Sequence, residues 1–125
     1  MNLSLLPGIY SIYKFKAGSS LPEWIYSSGF YSITKTKDEI SVVAVQRSSV
    51  SEAVNCSKDW RILKIEGPLD LSLIGIIAGI CAILKDKKIP VFIISTYNTD
   101  YIMIIQDDLN KGIEALKEKE YNVSV

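Results

Sequence analysis

The chain has 125 residues, 48% of them hydrophobic, with 14 basic and 14 acidic side chains and no histidine. That is enough apolar material for one compact domain or two small halves, and the balanced charge leaves no electrostatic footprint for nucleic acid or an anionic membrane surface. Without histidine the chain lacks the usual general acid-base group and the commonest metal ligand, and two cysteines, Cys56 and Cys81, make no disulfide framework, which points to a reducing compartment.

The N-terminus shows no basic region followed by an apolar core, and Pro7-Gly8 interrupts its short apolar run, so no signal peptide is read there. Ile9 to Phe15 alternates as a strand, with Ile9, Ser11, Tyr13 and Phe15 on one face. Ala17 to Ser20 is a small-residue loop. Leu21 to Ile25 then fits a short helix, with Pro22 in its first turn and Trp24 and Ile25 turned inward. Phe30 to Thr36 and Ile40 to Gln46 alternate on either side of Lys37-Asp38, which predicts an antiparallel hairpin. Ser48 to Cys56 contains Ser49 followed by Glu52, a capping-box pattern that predicts about two turns of helix.

Trp60 to Glu66 reads as a strand stopped by Gly67-Pro68. Asp70 and Ser72 can accept hydrogen bonds from the free N–H groups of a first helical turn, so a helix is expected to start there. Leu73, Ile76, Ile77, Ile80, Ile83 and Leu84 recur at three- and four-residue spacing, and Lys85, Lys87 and Lys88 stand where the helix dipole favours positive charge. Inside that helix Gly75 and Gly79 each cost about 1 kcal/mol relative to alanine, a cost that close approach of a backbone or a ligand would offset. From Leu71 to Leu84 the run falls short of the roughly 20 residues that cross a bilayer, so it is read as a buried helix. The strands PVFIIS and YIMIIQ are apolar without a break, which implies cover on both faces, from helices on one side and from the chain or a second copy on the other. Asp107 or Asp108 caps a last helix with Leu109, Ile113 and Leu116 inward and Lys111, Glu114, Lys117 and Glu118 outward. Tyr121, Val123 and Val125 alternate as a final strand.

From Trp60 the order is strand, helix, strand, strand, helix, strand, the ferredoxin-like βαββαβ arrangement of an α+β fold. The residues before it repeat that order with a shortened first helix, giving two units, 1–59 and 60–125. The third strand has no basic residue for RNA, and no cysteine pairs stand at metal-ligand spacing. The segments FYSITKTKDEISVVA, EGPLDLSLIGIIAGI and IPVFIISTYNTDYIMI resemble the ACT domain, in particular the tandem subgroup that includes the cytosolic arginine sensor, and ISTYNTDYI carries the likeness most specifically.

The resemblance implies two ACT-type units in tandem and a small amino acid bound between units, against the start of the first helix and the end of the following strand. Backbone N–H groups from Ser72 through Ile74 and Gly75 to Ile76 then receive its carboxylate, Asp70 or Asp100 its ammonium or a basic side chain, and Thr96, Tyr97, Asn98 and Thr99 orient it. The plain readings stand beside these: Asp70 as a helix cap, Asp100 as a turn residue bonded to its own backbone, Gly79 as a packing position, Tyr97 as a core-edge ring and Cys56 as an inert thiol. The function expected is a cytoplasmic amino-acid-binding regulatory protein with allosteric action, a homodimer, acting on a separate protein, with no cofactor and no catalysis. The alternative is a structural oligomerisation module without a ligand. An enzyme finds little support, since the sequence has no nucleophile motif and no phosphate loop.

Overall fold

The computed structural model describes residues 1–67 and 75–125. Its strands are β1 (Asn2–Leu5), β2 (Tyr10–Lys16), β3 (Ser32–Lys35), β4 (Glu39–Val45), β5 (Asn55–Ile65), β6 (Val91–Ser95), β7 (Asp100–Ile105) and β8 (Asn122–Ser124). Its α-helices are α1 (Ile76–Asp86) and α2 (Leu109–Glu118). The chain divides into one compact unit of Gly8–Trp60 and another made of Met1–Pro7 with Arg61–Val125. On sequence the first residues count with the N-terminal half, whereas here they join the C-terminal unit, so the N-terminal unit is an insertion in that unit.

In the N-terminal unit β4 pairs with β3 and β2, and β2 with the first part of β5, all antiparallel. The predicted hairpin is present, with Lys35 opposite Ile40. Alternation along β2 sends Tyr13 and Phe15 into a core with Ile25, Ile40, Val42 and Ala44. The expected short helix is a single stretch of 3₁₀ helix, Glu23–Ser27, which buries Ile25. Trp24 packs edge-on against Tyr13 at 5.6 Å, with the Arg47 guanidinium 4.7 Å from its ring centre. The helix expected over 48–56 is absent. Ser51-Glu52 forms a turn, Val54 N–H donates to the Lys14 carbonyl at 2.8 Å, and β5 has begun by Asn55. The open edge of β2 captured this segment's backbone, and the capping-box pattern lost to that ladder.

In the C-terminal unit the strand order is β6-β7-β5-β1-β8. The βαββαβ order is thus kept, with β1 inserted beside β5: Leu3 lies opposite Ile65 in antiparallel register and opposite Val123 in parallel register. Leu3, Leu63, Ile65, Ile102 and Ile104 form the sheet side of a core closed by Ile80 and Leu84 of α1 and Leu116 of α2. On α2, Leu109, Ile113 and Leu116 are buried as predicted, while Asp108 precedes it without a side-chain capping bond, after a turn of 3₁₀ helix. Both helices end alike. Ile89 N–H reaches back to the Leu84 carbonyl and Tyr121 N–H to Leu116, each across a left-handed residue, Lys88 (φ 60) and Glu120 (φ 69). No helix among the described residues is long and apolar enough to cross a membrane.

Candidate functional site

The stretch from Ser95 to Asp100 closes the hairpin between β6 and β7, with Ser95 paired to Asp100. Thr96 N–H donates to the Thr99 carbonyl at 2.8 Å, and the Thr96 hydroxyl both donates to that carbonyl and accepts from the Thr99 N–H. Thr99, 5% exposed, donates its hydroxyl to the Ile65 carbonyl at 2.6 Å. This bond ties the hairpin to the end of β5. The hydroxyls of Thr96 and Thr99, expected to orient a ligand, therefore have their protons committed to holding the turn.

The residues separate by face. Asp100 alternates with Ile102 and Ile104, which pack under the helices, so it is directed toward α1. Ser95 Oγ donates to Asp100 Oδ1. The carboxylate is felt at Cys81 of α1: burial first, and the negative charge of Asp100 second, push that thiol up from its ordinary range. Asn98 and Thr99 instead line a cleft of about 190 Å³ with Lys64 and Gly67. Tyr97, expected at the core edge or on a ligand, is 84% exposed and projects into solvent.

Gly75 is not inside the helix, as its spacing suggested, but precedes it as the N-cap with φ 82. Its left-handed conformation is one that glycine adopts without strain, so the interior penalty does not arise. A side chain added there would meet nothing within 4 Å among the described residues, whereas at Gly79 it would meet the Tyr121 hydroxyl at 3.6 Å. Gly79 is thus a packing position against Tyr121. Ile76 turns its side chain into the core, which leaves only its backbone N–H for a ligand, and α1 carries no side-chain capping bond among the described residues. Asp70, Ser72 and Ile74 lie outside the described residues.

Sequence reasoning missed Lys64 and Gly67. Lys64 read only as the solvent-side member of an alternating strand, and its amine is 3.5 Å from Glu66. The described residues hold no group of three or more cysteine, aspartate or glutamate side chains placed for a metal ion. What the site offers is charge of both signs at one end of a sheet: a carboxylate facing α1, an ammonium at the cleft, and the N-terminus of a helix that favours anions.

A sheet with two helices packed on one core in βαββαβ order defines a ferredoxin-like α+β domain. The chain belongs to the ACT-domain family, whose model matches residues 55–118, from β5 through α2 and just over half of the sequence. A second model, described only as an N-terminal domain, matches residues 8–52. The chain is 30% identical over 112 residues to the human cytosolic arginine sensor for mTORC1 subunit 1, covering 84% of this chain and 34% of that protein. It thus spans about a third of the length of the curated relatives it matches. Among solved structures, a protein from Agobacterium tumefaciens superposes with a TM-score of 0.89 at 28% identity, covering 98% of this chain and 90% of that one. Aspartate kinase from Clostridium acetobutylicum shares the fold, with a TM-score of 0.66 at 11% identity over 88% of this chain and 32% of that one.

Proposed function

We propose that this protein is an ACT-type regulatory module that binds a small amino acid at the hairpin end of its C-terminal unit and acts on a separate protein without catalysing a reaction. The observation that carries the reading is the orientation of Asp100: a carboxylate aimed at α1, close enough for its charge to reach Cys81, at the strand end where the resemblance implies a ligand. In this reading Asp100 takes the ligand's ammonium or a basic side chain. The N–H groups at Ser72, Ile74, Gly75 and Ile76 take the carboxylate, with Asp70 as a second acid, while Thr96 and Thr99 act by holding the turn that carries Asp100. The relative's description as a cytosolic arginine sensor supports an amino acid as ligand and the cytoplasm as the place of action.

Occupancy becomes a signal if the ligand stabilises one assembly over another, as a ligand does when it binds one state only. Calorimetry of the chain against the common amino acids tests this. At least one is expected to bind and to lose about tenfold or more in affinity in Asp100→Asn. Silence from all of them, or an unchanged affinity in the variant, contradicts the reading. A second reading, a structural oligomerisation module, is favoured by one observation: among the described residues β6 pairs with β7 alone, and its residues Val91 to Ile94 are half-buried rather than covered. That reading predicts a stable homodimer whose midpoint of unfolding ignores amino acids.

A further inference from the structure

The N-terminal unit carries the same hairpin with a positive side chain at its end in place of a negative one. Lys35 lies opposite Ile40 across β3 and β4 as Ser95 lies opposite Asp100 across β6 and β7. Thr36 closes the first turn as Thr96 closes the second: its N–H donates to the Glu39 carbonyl at 2.9 Å, and its hydroxyl donates to that carbonyl and accepts from the Glu39 N–H. Ile40 thus stands where the other unit has its carboxylate, and Lys35 stands where the other unit has the serine that binds it.

A cavity of about 410 Å³ opens at this position, within the roughly 300–1,000 Å³ usual for small-molecule sites. Leu21, Ile33 and Ile40 give it an apolar floor continuous with the unit's core. Ser20 and the half-exposed Tyr26 bring hydroxyls to its wall, and Lys35 is the only charged residue among those that line it. Gly18 at the rim has φ 83, and a side chain there would meet nothing within 4 Å among the described residues. Among the described residues Lys35 has no carboxylate within ion-pair distance.

We propose that this cavity binds a small organic acid, its carboxylate at Lys35 and a short branched apolar body on Leu21, Ile33 and Ile40. No carboxylate lines the cavity, so a ligand's ammonium finds no counter-charge there and is repelled by Lys35. The site therefore selects acids over amines and over amino acids, the opposite preference to the Asp100 end. The proposal does not depend on the amino-acid reading, because it uses other residues and another ligand class.

The test is a residue-resolved ¹H–¹⁵N NMR titration of the whole chain with 4-methyl-2-oxopentanoate. Saturable shifts are expected at residues 18–21 and 33–40, with affinity weakened about tenfold or more in Lys35→Met, and isopentylamine and leucine are expected to leave these residues unmoved. No shift at these residues up to about 10 mM acid, an equal response in folded Lys35→Met, or an equal response to isopentylamine in the parent overturns the proposal.

Discussion

The two hairpins, Thr36–Glu39 and Thr96–Thr99, share their turn bonds and their register, yet they stand in different units with different covers. The C-terminal one lies in a unit whose sheet carries two α-helices, and a buried threonine ties it to the neighbouring strand. The N-terminal one lies in a unit with a single five-residue 3₁₀ helix, and at the position of Thr99 it has Glu39. The backbone scaffold is therefore common to both. What differs is the side chain at two positions, Lys35 and Ile40 against Ser95 and Asp100, which sets the sign of the charge at each hairpin.

The comparison breaks most visibly in the cores. Ile80→Ala and Ile25→Ala each remove a fully buried side chain, one from each unit, and each is expected to cost about 2–5 kcal/mol in urea denaturation. If the units unfold independently, each variant moves a separate transition. Next in size is the tie at the hairpin. Thr99→Val removes the proton that satisfies the Ile65 carbonyl and is expected to cost about 1–3 kcal/mol, whereas Glu39→Val, at the matching position without such a tie, stays within about 0.5 kcal/mol. Equal costs would mean that the Thr99 bond is not what distinguishes the two turns.

A smaller gain is expected at the helix ends. Lys88→Gly and Glu120→Gly relieve left-handed backbone at residues with a Cβ and are each expected to stabilise by about 0.5–1 kcal/mol in the same assay. The smallest effect concerns the thiols. Cys81 is held up by burial and by Asp100 while Cys56 is exposed, so iodoacetamide should modify Cys56 first, and Asp100→Asn should quicken Cys81. Because the folded thiol titrates above the unfolded one, its contribution is intact at neutral pH. It is lost as pH rises from the ordinary thiol range through the raised value, and Cys81→Ser removes that slope.

The sequence displayed the elements whose structure follows from local pattern. Alternation at Tyr13 and Phe15, three- and four-residue spacing at Ile80 and Leu84, and the turn at Lys37-Asp38 all appear where expected. Elements decided by distant partners were not legible. Strand β1 is four residues before a Pro-Gly pair and exists because β5 and β8 flank it, and Ser49 to Glu52 looks like a helix start until the edge of β2 is known. The site was legible in part. Asp100 was picked out by its place in the ISTYNTDYI motif and faces α1, but Tyr97 gave no sign that it would stand in solvent. Lys64 looked like any exposed strand lysine, and Gly75 looked like an interior glycine until its φ was known.

The proposal stands on two hairpins that share a scaffold, of which the Asp100 one is expected to accept an amino acid and the Lys35 one is not. A ¹H–¹⁵N NMR titration of the whole chain with the amino acid found by calorimetry tests this most directly. Shifts are expected at Gly75 to Ala78 and at Asn98 to Asp100, and none at Thr36 to Ile40. Shifts confined to the N-terminal hairpin, or spread equally over both, would contradict the account.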